Sequence, residues 1–509
     1  MSSQPERSVR LAPSRAGFGA TPAALLLALA LLVALAACRP ETEPGTEEPT
    51  PEPTAAGFST NPYCPEGEVL CSNLPTDQIL VPPGCASSDQ QCSRNFYSWQ
   101  SFVSLSWPGK IVQGQGGQVV EPDPGASVGG AGSRVWELWM DPDAVFLPGA
   151  AVPSWTPGQG PPSPCATVGA APGKSMVGRL AKASVGLGDI DPDDFFEATV
   201  HQPLIDQALE FVVFEVRMNQ QEVAWVVSNR LYQQETVQGL TTSVTLPNDA
   251  IEVKAAWRIL PAAMPESQKA RYYREQTNIV LSPDHVAGGG GTAPVCVQRE
   301  LGLVALHVRH NGLWSTFEQV DNVTASPGIT PTFNNPACTD CKTNVAPTDR
   351  EGNPIPAANY QWSLEGPSAA LYQGFPNVPA QITRADGQDE SIDTAMNTWF
   401  QQSVLQGTVW ANYMLVTTNW IEFPTSSQPI PTLNTALEPY IPGTTFPQAC
   451  IECHKLAMND NKALIGETFM PFRACPQNPQ PGQQLPPNCV PGGVTTLASH
   501  AGPAATPAP

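Results

Sequence analysis

The sequence of 509 residues predicts an α+β protein, formed mainly by an antiparallel sheet with flanking helices and long Pro/Gly-rich loops. Segments rich in β-branched and aromatic residues recur between residues 211 and 319 and again at 408–421. Apolar residues at helical spacing precede, interrupt and follow these strands. The 56 Pro and 41 Gly residues indicate long irregular connections, and the 41 % of hydrophobic residues is enough for a globular core.

The N-terminal segment has the pattern of a lipoprotein signal peptide, which we assign to residues 1–37. Three arginines precede an apolar run at 23–33 that is too short to span a bilayer. Residues 35–38 read Leu-Ala-Ala-Cys and resemble a bacterial lipobox, which implies cleavage before Cys38 and lipid on that residue. An ordinary cleavage site followed by an unrelated cysteine is the alternative. Arg39 stands where an inner-membrane retention Asp would be, and by analogy this favours the outer membrane.

Composition divides the mature chain into three parts. Residues 38–60 are rich in Pro, Glu and Thr and are predicted to be a disordered tether. Residues 61–475 are predicted to form a single α+β domain, and residues 476–509 a disordered Pro-rich tail. We therefore expect an exported protein, periplasmic or at the cell surface, held to the membrane by lipid rather than by a spanning helix.

The predicted elements follow from local periodicity. Aromatic residues at helical spacing indicate a helix around residues 96–103, and a further helix is expected around 392–400. A third helix is expected to begin at Asn219. Asn311-Gly312 is the strongest short hairpin signal in the chain. The predicted strands are 211–216, 251–260, 271–281, 301–310, 313–319 and 408–421.

The segment Cys450-Ile-Glu-Cys453-His454 has the C-x-x-C-H spacing of a covalently attached c-type haem. Two thiols at this spacing reach the two vinyl groups of one porphyrin, and the following His becomes the proximal iron ligand. We therefore predict one haem c bound through Cys450, Cys453 and His454. A disulfide or a zinc half-site before an unrelated His is the alternative.

Ten further cysteines remain besides Cys38 and the haem pair, and export permits disulfides among them. Proximity predicts the pairs 64–71, 85–92 and 475–489, and apart from Cys338 and Cys341 this leaves Cys165 and Cys296 for a long-range disulfide. Cys338 and Cys341 also have C-x-x-C spacing, but Lys342 follows them instead of His. A local disulfide or a redox-active dithiol is favoured there over a second haem.

The second axial ligand of the iron decides between electron transfer and an open distal face. Met470 lies 16 residues after His454 on the same short segment and is ranked first. His307 lies in an apolar strand and is ranked second, since a His in such a strand is more often a hydrogen-bonded core residue than a ligand. His310 lies at the end of that strand and is likewise more often a hydrogen-bonded core residue than a ligand.

Four segments resemble parts of a group of long, largely uncharacterised bacterial c-type cytochrome proteins that are exported and carry one C-terminal C-x-x-C-H. They are Trp99–Pro108, Glu252–Arg258, Trp314–Asn322 and Val409–Tyr413, spread over most of residues 95–460. The resemblance implies a haem protein outside the cytoplasm and supplies no reaction.

The formal charge of −21 and a pI of about 4.6 exclude a nucleic-acid-binding protein and would suit a basic redox partner. The first hypothesis is a lipid-anchored monohaem c-type cytochrome that transfers single electrons, rather than a catalyst. One alternative is a five-coordinate c-haem enzyme or gas binder acting on small nitrogen or oxygen species. The other is a disulfide-stapled surface lipoprotein without haem.

Overall fold

The computed structural model describes most of the chain after residue 56, and the N-terminal segment with Cys38 lies outside the described residues. Everything that the structure describes belongs to the second of two units of the chain, residues 53–509. The predicted signal peptide, nearly all of the predicted tether and the end of the predicted tail lie outside the described residues. The described residues are 57–114, 116–158, 174–177, 182–183, 195–196, 203–281, 295–324, 326–346, 348, 352, 378–384, 392–420, 433–440, 449–483, 485 and 487–489.

The helices and strands are numbered in chain order. The helices are α1 (Gln90–Leu105), α2 (Gln220–Ser228), α3 (Gln234–Gly239), α4 (Glu266–Lys269), α5 (Thr394–Trp399) and α6 (Cys450–His454). The strands are β1 (Gly109–Gly114), β2 (Gly117–Pro122), β3 (Lys174–Val177), β4 (Lys182–Ala183), β5 (Phe195–Phe196), β6 (Val212–Met218), β7 (Glu252–Ile259), β8 (Arg274–Leu281), β9 (Val295–His310), β10 (Leu313–Gln319) and β11 (Tyr413–Trp420).

A seven-stranded sheet in the order β11-β10-β9-β7-β6, with β8 also paired to β9 and β3 to β8, forms the centre of the fold. Every pair is antiparallel except β3 with β8. The expected antiparallel sheet with helices is therefore confirmed. The 16-residue strand β9 contacts three neighbours, because β8 and β10 pair with successive parts of one edge while β7 pairs with the other.

The tight turn between β9 and β10 is confirmed at Asn311-Gly312. Both residues have positive φ values, 54° and 67°, which is the backbone that a two-residue hairpin loop requires. One predicted strand is shorter than expected, because Val409–Asn412 form a 3₁₀ turn and β11 begins only at Tyr413. The side chain of Asn412 donates to the Val409 carbonyl, and this local bond supports the turn.

Helix α1 lies on one face of the sheet and is buried on nearly every side. Asp89 begins it, since its carboxylate accepts the Cys92 N–H at 2.9 Å. Phe102 stacks on Phe317 of β10 with ring centroids 4.4 Å apart, and Trp99 stacks on Phe400 at 4.7 Å. The aromatic residues of the predicted helix are therefore part of the core, and they fix α1 against the sheet.

A β-bulge in β9 changes which side chains share a face. The register with β7 shifts between Ala256 and Trp257, where Ala256 pairs with Ala305 but Trp257 pairs with Leu303. Strict alternation puts His307 on the face of Leu301 and Leu303, whereas those leucines pack in the apolar cluster of the opposite face. Strict alternation gives the wrong face for His307 because the extra residue in the bulge reverses the pattern.

Candidate functional site

The C-x-x-C-H segment forms the short helix α6 directly before a turn-rich segment. Glu452 in its first turn accepts the Ala449 N–H at 3.3 Å, and Lys455 N–H donates back to the Ile451 carbonyl at 2.9 Å. The partial positive charge at the start of a helix also stabilises a carboxylate in this position. The spacing thus places Cys450 and Cys453 one turn apart, with His454 next in line.

Helix α6 packs on the sheet through Trp314 of β10. Trp314, Ala449 and Ile451 form a small buried apolar cluster, and Cys450 contacts its edge. The ring of His454 lies between two aromatic neighbours, 5.8 Å from the Trp314 ring and 5.3 Å from the Phe469 ring. The sheet therefore fixes the position of the histidine, although the helix itself has only five residues.

His454 is oriented by a hydrogen bond from Nδ1 to the backbone carbonyl of Glu467, at 2.7 Å. A carbonyl oxygen can only accept, so Nδ1 carries the proton and the lone pair of the neutral ring is on Nε2. Metal-bound histidines characteristically make this contact with their second nitrogen. The arrangement thus prepares Nε2 of His454 to coordinate a metal.

The carbonyl that holds His454 belongs to a turn with unusual backbone angles. Gly466 and Glu467 have φ values of 64° and 56°, in the left-handed region. At Gly466 a Cβ atom would lie 2.8 Å from the Trp225 ring, so glycine is needed there for space as well as for conformation. No local sequence signal links this turn to His454.

The local disulfides predicted from short cysteine spacings are confirmed in the described part of the chain. Disulfides join Cys64 to Cys71, Cys85 to Cys92, Cys338 to Cys341 and Cys475 to Cys489. Cys450 and Cys453 have the same spacing as Cys338 and Cys341, but they are thiols in the structure and are partly buried. The predicted Cys165–Cys296 pair lies outside the residues whose side chains are described.

A small cavity adjoins His454 and Cys450 and reaches His307 on β9. Apart from Val308, its other walls are polar or aromatic. They are Glu252 and Lys254 of β7, Arg309 of β9, and Trp314 and Ser315 of β10. His307 is 15 % exposed, and its Nε2 lies 3.4 Å from Glu438 Oε2 without a geometrically acceptable hydrogen bond. The structure therefore places His307, the second-ranked candidate ligand, in the wall of the same cavity as His454.

Met470 occupies a different environment. It is 1 % exposed, at the start of a 3₁₀ turn, and belongs to an apolar cluster with Ile465 and Ala474. It does not line the cavity beside His454. His310 points to the other face of the sheet, where it makes hydrogen bonds with the Tyr97 hydroxyl at 3.2 Å and the Ser101 hydroxyl at 3.0 Å.

The donor groups match those of a covalent haem, but the cavity beside them is too small for a porphyrin. Two thiols and an oriented imidazole are the required donors, whereas the cavity beside them measures about 20 Å³, the space of one water molecule. A porphyrin therefore needs this cavity to open between α6 and the sheet. Within the described ranges, no group of three or more His, Cys, Asp or Glu side chains is arranged to hold a bare metal ion.

Buried charges surround the site on the sheet side. Glu222 of α2 is fully buried beside Glu252 and Arg309, and burial followed by repulsion from Glu252 raises its pKa well above the usual range. Burial lowers the pKa of Arg309, and its guanidinium donates to the Pro247 and Ala250 carbonyls at 2.9 Å. Glu252 accepts a 2.5 Å hydrogen bond from Thr468. Sequence inspection missed these residues because strands far apart in sequence bring them together.

Comparison of the chain with protein-family models, curated proteins and solved structures gives no match. The resemblance to c-type cytochrome proteins thus remains a prediction, as do the haem and the lipid anchor. None of the helices within the described part combines the length and the apolar character needed to cross a membrane.

Proposed function

We propose that the chain is an exported, lipid-anchored monohaem c-type cytochrome that transfers single electrons. Cys450 and Cys453 form the thioether bonds and His454 is the proximal ligand. The observation that carries the proposal is the hydrogen bond from His454 Nδ1 to the Glu467 carbonyl, because it directs the Nε2 lone pair to a metal from within a C-x-x-C-H motif. When bound, the haem supplies a one-electron iron couple.

The contribution of the protein to this function is the orientation of the ligands. The Glu467 carbonyl fixes the tautomer of His454, while Trp314 and Phe469 restrict rotation of its ring. His307 is the distal ligand that the cavity favours, with Met470 as the alternative. Two nitrogen ligands or a nitrogen and a sulfur ligand would both suit an electron carrier.

A five-coordinate haem that binds or converts small nitrogen or oxygen species is the second candidate. The polar lining of the cavity favours it, since Lys254 and Arg309 could stabilise an anionic or polar ligand there. In this reading His307 would act as a distal hydrogen-bonding residue rather than as an iron ligand.

The test is expression of the full chain in a host that matures c-type haem, followed by a haem-stained denaturing gel. Wild type is expected to retain haem covalently, and Cys450→Ala with Cys453→Ala is expected to lose it. Cys338→Ala with Cys341→Ala is the matched control, because it removes a cysteine pair of equal spacing that no His follows. A matured wild-type protein without covalent haem would instead support a disulfide-stapled lipoprotein.

Two further measurements separate the remaining readings. A low-spin absorption spectrum in both oxidation states supports electron transfer, and a high-spin resting spectrum supports the enzyme or gas binder. Membrane fractionation of Cys38→Ser tests the anchor. The protein should leave the membrane fraction, and unchanged membrane association would contradict lipidation at Cys38.

A further inference from the structure

A larger cavity, of about 470 Å³, lies apart from the residues around His454. It is bounded by the β1–β2 hairpin, the segment 74–77 and the starts of α2 and β7. Its deeper walls are apolar, with Val135, Trp139 and Ile251 almost completely buried and Trp155 half-buried. A cavity of this size and character is typical of a small-molecule site.

All the charged side chains that line this cavity are acidic. They are Asp77, Glu121 and Asp249, and all three are exposed at its rim. From this charge and the aromatic walls, we infer that the cavity binds a small organic cation, an ammonium group carried on an apolar or aromatic body. The inference does not depend on the haem.

The two carboxylates available for such a ligand are those of Asp77 and Asp249. Glu121 is already paired with Lys110, at 3.2 Å across the hairpin. Within the described ranges no three acidic or metal-binding side chains converge, so the carboxylates suit a diffuse organic charge rather than a bare metal ion.

Hydrogen bonds to backbone carbonyls hold the loops of both carboxylates in place before any ligand binds. Asn311 in the β9–β10 turn donates from its side chain to the Asp77 carbonyl at 3.0 Å, and its own N–H donates to the Asn248 carbonyl at 3.0 Å. Asn219, which caps α2, donates to the Asp249 carbonyl at 2.8 Å. Preorganised loops lose little entropy on binding.

The interior of the cavity offers contacts for the rest of the ligand and carries no positive charge. Trp155 is fixed to the hairpin by a 2.8 Å hydrogen bond from Nε1 to the Gln118 carbonyl. Aromatic rings attract cations as well as apolar groups. His310 also lines the cavity, and burial lowers its pKa to about 3, so that it is neutral near pH 7.

The test is isothermal titration calorimetry of the full-length protein with three probes that share one ring. Benzylammonium, benzyl alcohol and benzoate carry a positive, zero and negative charge. We expect benzylammonium to bind at least about tenfold more tightly than benzyl alcohol, and benzoate to bind most weakly. Asp77→Asn with Asp249→Asn should remove most of this preference, by roughly five- to tenfold.

The control variant is Asp340→Asn with Asp460→Asn, which makes the same change in net charge at exposed positions outside the cavity. It should bind benzylammonium as wild type does. Trp155→Leu should weaken both benzylammonium and benzyl alcohol. Equal affinity for the three probes, or equal losses in the rim and control variants, would overturn the inference. Thermal melting of each variant confirms that it is folded.

Discussion

At the scale of single residues, a bulge determines which side chain faces His454. Strict alternation along residues 301–310 places His307 on the face of the leucines, but the extra residue in β9 turns it to the side of Lys254 and the C-x-x-C-H motif. A bulge has no reliable sequence signal here, because the residues around it are all apolar. The motif itself was predictable because its chemistry is local, whereas the Glu467 contact was not.

The distal ligand gives the first prediction at this scale. If the chain carries the proposed haem, His307→Ala should convert it from low-spin to high-spin, because the change removes the imidazole that shares the cavity with His454. Met470→Ala should leave the spectrum low-spin, since Met470 is packed in another cluster. Absorption spectra of the two purified variants measure this. The reverse pattern would identify Met470 as the ligand.

His310 gives a prediction of pH dependence. Burial, followed by the charge of Arg309, lowers the pKa of His310 to about 3 in the folded protein, from an ordinary value near 6.5. The unfolded chain then binds the proton more readily, so this contribution to stability is complete above pH 6.5 and is lost as the pH falls toward 3.

In the His310→Gln variant, the unfolding free energy should therefore fall less steeply as the pH decreases. For a single proton the difference in slope from wild type is at most about 1.4 kcal/mol per pH unit. Urea denaturation between pH 4 and 7 measures it, and contributions from carboxylates cancel in the comparison. Identical slopes in both proteins would show that the histidine takes up its proton without unfolding.

At the scale of elements, most strands were predictable and their ends were not. Alternation of apolar residues located β6, β7 and β10, and Asn311-Gly312 located the turn before β10. The 3₁₀ turn at Val409–Asn412 replaced the start of a predicted strand, because a local side-chain bond competes with the ladder. Short cysteine spacings were equally informative, since nearby thiols pair at little entropic cost.

Helix α1 makes the element-scale prediction. Phe102 is fully buried and contacts both Phe317 and Trp410, so Phe102→Ala should lower the unfolding free energy by about 3–5 kcal/mol. Ile111→Ala removes apolar atoms from a side chain that is 43 % exposed on the hairpin, and should change it by at most about 0.5 kcal/mol. Equal losses in chemical denaturation would mean that α1 is not part of the cooperative core.

At the scale of the whole molecule, net charge and local charge favour different partners. The sequence carries a formal charge of −21, yet Lys254 and Arg309 line the cavity beside His454. The long-range field therefore attracts cations, while charges of both signs lie immediately around the site. Composition predicted the first of these, but only the fold, by pairing β7 with β9, could show the second.

Ionic strength separates the two contributions, because the screening length falls from about 30 Å at 0.01 M to about 10 Å at 0.1 M. If the chain is the proposed electron carrier, oxidation by the cation hexaammineruthenium(III) should slow by about tenfold over this range, and oxidation by the anion ferricyanide should become faster. Stopped-flow absorption of the reduced haem measures both rates. Opposite responses to salt are what a field set by the whole acidic molecule requires. If both rates were insensitive to salt, the local residues would control the approach of partners, and a basic redox partner would no longer be expected.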